Sequence, residues 1–321
     1  MKIKVSVPAT SANIGSGFDA LGLAVTLYNT VTFEESEVLD ISSADGTRIP
    51  RGESNLVYRS AKGLFEKVGK QIPPLKITQT NPIPMARGLG SSSACIIAGL
   101  LGANRMLGDV LNTQELLTLA TSIEGHPDNV APAVYGGLTM SWDMETAEGV
   151  GSVPIPGGEP MHNGFHTINY RVADDLTAAV FVPDYELSTE KARQALPTEI
   201  PFKDAVHNVS RVSLLPAAMN PAMLASGSRQ NANALLFAAT QDRLHQPFRA
   251  PLMEPSWALI EKMRAHGFAS TVSGAGPCVL VLHHGDAHEE LERIAAEELA
   301  SGHWRVLHLA VDTKGVQVER A

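Results

Sequence analysis

The chain has only two cysteines in 321 residues, Cys95 and Cys278, too few for a disulfide framework. It lacks a basic excess: 25 Lys and Arg stand against 34 Asp and Glu, a formal charge of -9, whereas a general nucleic-acid binder would carry a basic footprint. It lacks a long apolar run. The N-terminus alternates rather than forming a signal-length block, and uncharged stretches such as Gly88 to Asn104 are broken by Gly and Ser. Several catalytic signatures are missing too. No GxxxxGK[ST] occurs, since Gly69-Lys70 is followed by Gln71, and there is no third glycine for a dinucleotide fingerprint, no GxSxG and no HExxH. These absences leave a soluble, cytoplasmic protein with free thiols, no nucleic-acid partner and no membrane partner as the expectation. With 44% hydrophobic and 18% charged residues the chain is globular, and its length suits two domains.

Alternation of Ile3, Val5 and Val7 predicts a strand over 2–7, ended by Pro8. Further strands are expected at 23–33, 39–42 and 75–79. Helices are expected over 54–68 and 92–107, and over 114–123 behind an Asn112/Glu115 capping box. Gly99 and Gly102 within the second helix point to close packing. The Gly- and Pro-rich stretch 149–164 reads as a domain boundary, giving domains 1–160 and 161–321. Beyond it, strands are expected at 177–183, 271–272, 278–282 and 305–311. Helices are expected near 189–196, 203–220, 228–245, 254–265 and 287–299. That order suits an α+β sandwich on a mostly antiparallel sheet.

The most informative stretch is Met85-Ala86-Arg87-Gly88-Leu89-Gly90-Ser91-Ser92-Ser93-Ala94-Cys95. Two glycines give a turn that a Cβ would block, and three serines then open a helix. Free N–H groups and the positive dipole end at such a helix start suit phosphate. Arg87 puts a positive charge at the lip, and serine hydroxyls can ligate Mg²⁺. A plain serine cap would look similar. The polar run His283-His284-Gly285-Asp286-Ala287-His288-Glu289 reads as a solvated helix start, not a metal-hydrolase site.

Two further segments, Pro8-Ala9-Thr10-Ser11-Ala12-Asn13-Ile14-Gly15-Ser16-Gly17-Phe18-Asp19 and Ser273-Gly274-Ala275-Gly276-Pro277, complete a three-part pattern that resembles the GHMP kinases. The first segment and Glu124-Gly125-His126-Pro127-Asp128-Asn129 are similar to the homoserine kinase family within that group. The resemblance implies an α+β, two-domain fold, with an N-terminal ribosomal-protein-S5-like nucleotide-binding domain and a C-terminal ferredoxin-like α/β sandwich. It implies transfer of the γ-phosphoryl of ATP to the hydroxyl of L-homoserine, a step of threonine biosynthesis, and a homodimer by analogy. It also implies site roles. Asn55 and the loop 85–95 would hold ATP, and Ser92 with Glu124 would hold Mg²⁺. Asn13 and Asp19 would take the substrate ammonium, and Arg193 and Arg249 its carboxylate. His126 and Asn129 would line the acceptor end, and Asn129, Asp128 and Thr189 would stand at the reacting atoms. Whether Asp128 is a base or Asn129 only orients the hydroxyl stays open, with the family favouring the second. The rival readings are another small-molecule kinase of the group and a non-catalytic ligand-binding relative.

Overall fold

In the computed structural model, which describes residues 2–225 and 231–320, the chain builds two main sheets. The first half runs β1 (Lys2–Ala12), β2 (Leu21–Glu35), β3 (Asp40–Ser43), α1 (Leu56–Lys67), β4 (Leu75–Thr80), α2 (Ser91–Leu107), α3 (Thr113–Glu124), α4 (Val130–Tyr135) and β5 (Leu138–Met144). A ribbon follows of β6 (Ser152–Val153) and β7 (Met161–His162), then β8 (Gly164–Tyr170). The second half runs β9 (Leu176–Pro183), α5 (Thr189–Gln194), α6 (Phe202–Val212), α7 (Leu215–Met219), α8 (Ala232–Ala239), α9 (Gln246–Arg249) and α10 (Glu254–Ala265). It ends with β10 (Ala269–Val272), β11 (Val279–His284), α11 (His288–Ile294), α12 (Ala296–Ala300), β12 (Trp304–Ala310) and β13 (Gln317–Arg320).

The first strand does not end at Pro8. Its pairing with β2 shifts register between Pro8 and Ala9, and this irregularity accommodates a residue with no N–H to give to the ladder. The strand then continues to Ala12 and delivers Thr10 and Asn13 to the interior. The first sheet is ordered β13-β1-β2-β4-β3, with β5 on β2 and β8 on β5. Two glycines let helix α2 pack closely on its neighbours, Gly99 against α1 and Gly102 against this sheet. A Cβ on Gly99 would lie 2.3 Å from the Val57 carbonyl oxygen, and one on Gly102 would lie 2.4 Å from the Phe33 ring.

The expected boundary at residue 160 is not where the sheets divide. Residues 149–164 carry the β6–β7 ribbon inside the excursion between β5 and β8, and β8 belongs to the first sheet. The change of sheet comes between Tyr170 and Leu176, and β13 returns to pair with β1. The second sheet is antiparallel, ordered β10-β11-β9-β12, the ferredoxin-like arrangement. Several expected helices are shorter or broken. Pro216 cannot donate to the preceding turn, so 203–220 splits into α6 and α7. The helix expected over 228–245 is described from Ala232 and stops at Ala239, residues 228–230 lying outside the described set. The helix over 287–299 breaks at Ala295. No helix among the described residues is long and apolar enough to cross a membrane.

Candidate active site

The three glycine- and serine-rich segments are hydrogen-bonded to one another. The Thr10 N–H donates to the Leu89 carbonyl (3.2 Å), the Gly274 N–H to Ala12 (3.1 Å) and the Cys278 N–H to Arg87 (3.1 Å). The Ser273 hydroxyl donates to the Gly88 carbonyl at 2.6 Å. The result is a cavity of about 410 Å³ with a small-residue floor.

At one end lies the start of α2. Gly90 occupies its N-cap position at φ 67°, a left-handed conformation, and a Cβ there would lie 2.0 Å from Thr10 Oγ1. No side chain caps the helix, so the N–H groups of its first turn, Ser91 to Ser93, have no intrahelical acceptor. The Ala94 N–H is already given to Gly90. Ser92 and Ser93 both donate to Glu124 Oε1, at 2.6 and 2.8 Å. Cys95 lines the cavity as a neutral thiol, pushed up to about 11 by burial and, less, by Glu124. Ile49, Pro50 and Leu56 provide apolar wall beside Asn55. Asn55 caps α1: its Oδ1 accepts from the Val57 and Tyr58 N–H groups and from Gln79 Nε2, and its Nδ2 donates to Pro50.

The opposite end is made of charged and amide side chains. Asp19 and Arg193 form a two-pronged ion pair, 2.9 Å at each contact. Arg249 is buried, only 1% exposed, with no carboxylate in ion-pair contact among the described residues; it contacts His245 Nδ1 (3.2 Å), the Ala192 and Gly274 carbonyls, and the face of Phe18. Asn129 stands at the N-cap position of α4 but makes no capping bond. Instead its Oδ1 accepts from Thr10 Oγ1 at 2.9 Å, which turns its N–H₂ group the other way. His126 Nδ1 meets Asp128 Oδ1 at 2.5 Å. Burial alone would depress His126, but the Asp128 carboxylate overrides this and holds it above the ordinary histidine value.

Asn13, Asp19, Asn55, 85–92, Cys95, Glu124, His126, Asp128, Asn129, Thr189, Arg193 and Arg249 all line this one cavity. Two expectations for the nucleotide loop need correction. Ser93 and Ala94 face the interior, fully buried, and do not line the cavity. The charge of Arg87 is spent on the protein itself: its guanidinium bonds the Pro183, Met85 and Asp184 carbonyls and Glu186, stapling the loop to the end of β9. Asn13, expected to face an ammonium, has both amide ends engaged, accepting from the Asp19 N–H and donating to Gly274. Sequence reasoning missed Thr10, although it lies inside the quoted first segment, and missed the walls Ile49, Pro50 and Gln79, which no local signal marks.

This fold and this floor define a phosphotransferase class. A family profile described as the GHMP kinases N terminal domain matches residues 55–137, and one described as GHMP kinases C terminal matches 219–301. The chain belongs to the GHMP kinase family, whose members are ATP-dependent phosphotransferases. Its full-length matches are narrower. The homoserine kinase of Streptomyces avermitilis is 40% identical over 98% of this chain and 95% of its own. That of Synechococcus sp. is 37% identical over 100% and 99%. The crystal structure of homoserine kinase from Cytophaga hutchinsonii superposes with a TM-score of 0.79 at 26% identity, covering 99% of this chain and 97% of that one.

Proposed function

We infer that the chain transfers the γ-phosphoryl group of ATP to the side-chain hydroxyl of L-homoserine, giving O-phospho-L-homoserine. The observation that carries the acceptor is Arg249: a buried guanidinium with no carboxylate in ion-pair contact among the described residues, in the field of the paired Asp19 and Arg193. A buried charge without a counter-ion is costly, and an anionic ligand group relieves it. An α-amino acid brings one charge of each sign. Its carboxylate suits Arg249 and Arg193, its ammonium suits Asp19, and together they replace the internal ion pair.

The triphosphate lies along the N–H groups of Ser91 and Ser92, at the positive end of α2. The purine sits against Ile49, Pro50 and Leu56. Asn55 has its Oδ1 spent on the cap and Gln79 and one Nδ2 hydrogen on Pro50, which leaves its second Nδ2 hydrogen for such a base. For Mg²⁺, the donors suit the ion: Ser92 and Glu124 are hard oxygens already in contact beside the helix start, and Mg²⁺ bound to phosphates needs few protein ligands. When bound, the ion supplies charge neutralisation of the phosphates. The chain's own residues position the acceptor. Asn129, with its oxygen held by Thr10, directs its N–H₂ toward the substrate hydroxyl, and Thr189 lines the same cavity. Asp128 is engaged with His126, and a loose phosphoryl-transfer transition state does not require a strong base. This supports Asn129 as the orienting group.

Cytoplasmic placement is part of the same reading, in keeping with two free thiols. So is a homodimer: Phe202, Val206 and Val209 are exposed along one side of α6. The test is ADP release from the purified enzyme offered homoserine, mevalonate, galactose and shikimate in turn. Homoserine alone is expected to support turnover, and turnover with another alcohol but not homoserine would replace this acceptor.

A further inference from the structure

His245 is fully buried, and its ring nitrogens face two partners of opposite kind. Nε2 lies 2.8 Å from the Gly15 carbonyl, which can only accept. Nδ1 lies 3.2 Å from Arg249 Nη1, which can only donate. The two neighbours therefore fix the tautomer: the proton is on Nε2, and Nδ1 is a bare acceptor aimed at the guanidinium. The ring stacks on Phe18 at 4.9 Å and 21°, and Arg249 lies over the same Phe18 ring. The backbone beneath is rigidly held. Asp242 accepts from the N–H groups of Leu244, His245 and Gln246 and from Asn208, while Gln246 Oε1 accepts from Val272 next to the SGAGP turn.

We propose that His245 is a positioning residue for the substrate carboxylate: as a neutral ring clamped between Gly15 and Arg249, it aims the Arg249 fork into the acceptor end of the cavity. The proposal rests on the reading that Arg249 receives that carboxylate. The alternative for a histidine in this place is a plain core ring stacked on Phe18, but that role needs neither nitrogen, and here both are used. The charged groups around the ring are Asp242, with Oδ2 3.5 Å from Nε2, and Arg249, with Asp19 acting from the opposite loop. Burial keeps His245 below the ordinary histidine value against the pull of Asp242, which maintains the bare Nδ1.

The test is steady-state kinetics on His245→Leu, His245→Gln and Arg249→Leu, with 3-aminopropan-1-ol, the acceptor without its carboxylate, as a competitive ligand. His245→Leu is expected to raise the homoserine KM roughly tenfold, the size of one hydrogen bond to a charged group. The ATP KM, kcat and the aminopropanol inhibition constant should not move, and His245→Gln, which keeps an acceptor, should recover most of the loss. If the Leu variant does not fold, His245→Asn, whose amide is too short to bridge both partners, carries the same expectation. The proposal is overturned if homoserine KM is unchanged in the His245 variants while Arg249→Leu raises it. It is equally overturned if aminopropanol and ATP weaken in step with homoserine, the mark of general disruption. An unchanged homoserine KM in Arg249→Leu would instead remove the reading of the acceptor site, and this proposal with it.

Discussion

The two ends of the cavity are built by opposite means. The nucleotide end is mostly backbone: a glycine turn, three serines, and a helix start with uncapped N–H groups. Of its charged side chains, Arg87 is spent on holding the loop to the end of β9, and Glu124 accepts from Ser92 and Ser93. The acceptor end is mostly side chain, with Asp19, His126, Asp128, Asn129, Arg193 and Arg249 arriving from four separate stretches of chain. A backbone site recognises what all triphosphates share. A side-chain site recognises the particular pairing of charges on one acceptor. The comparison predicts that lesions at one end lower turnover with ATP, and that lesions at the other shift acceptor affinity.

The largest effect should come from the nucleotide end. Ser92→Ala removes a hydroxyl held 2.6 Å from Glu124 and should cost roughly 10²-fold or more in turnover, with the fold intact. Turnover close to wild type at saturating Mg·ATP would contradict its placement.

At the junction of the two ends, Asn129→Ala should cost more in kcat than Asp128→Asn. The acid limb of the kcat–pH profile should keep its shape in folded Asp128→Asn. A base would be worth about 10²–10⁴-fold, so a collapse of that size together with loss of the acid limb would make Asp128 the base.

A smaller effect should follow from Thr10→Val, which keeps the shape but frees the Asn129 amide to rotate. Loss of a neutral hydrogen bond is worth about 1 kcal/mol, so kcat should fall severalfold while both KM values hold. A change confined to ATP affinity would place Thr10 with the phosphates instead.

The smallest effect is on stability. His126 is held above its ordinary value by Asp128, so the pair stabilises the fold fully below the unfolded histidine pKa of about 6.5 and less as pH rises through the folded value. The gap in urea midpoint between wild type and Asp128→Asn should therefore narrow from pH 6 to pH 9. A gap that widened would reverse the sign of the coupling.

The same contrast explains what could be read from the sequence. The loop was legible because its chemistry is local, and so was the capping box at Asn112 and Glu115, which the structure shows in full. The second sheet followed from its short apolar runs. The extent of β1 was missed because Pro8 normally stops a strand, and only its pairing with β2 reveals the irregularity that lets it pass. The boundary was misplaced because a Gly- and Pro-rich stretch looks the same as a linker or as a ribbon between paired strands. Short α4 was missed because Pro132 lies inside its six residues and leaves no periodic stripe. At the site, residue types were legible through family likeness, but their partners were not. Nothing local says that Arg87 staples the loop to β9, that Thr10 holds Asn129, or that Asp19 and Arg193 are paired.

The central claim, that acceptor recognition is carried by side chains separate from the backbone cradle, is tested most directly by calorimetric titration of Arg249→Leu. Homoserine and a non-hydrolysable ATP analogue with Mg²⁺ would be titrated separately into the folded variant. Loss of a charged hydrogen bond should weaken homoserine by about 1.5–3 kcal/mol, with nucleotide affinity unchanged. Weakened nucleotide with intact homoserine binding would contradict the claim and move Arg249 to the phosphate side.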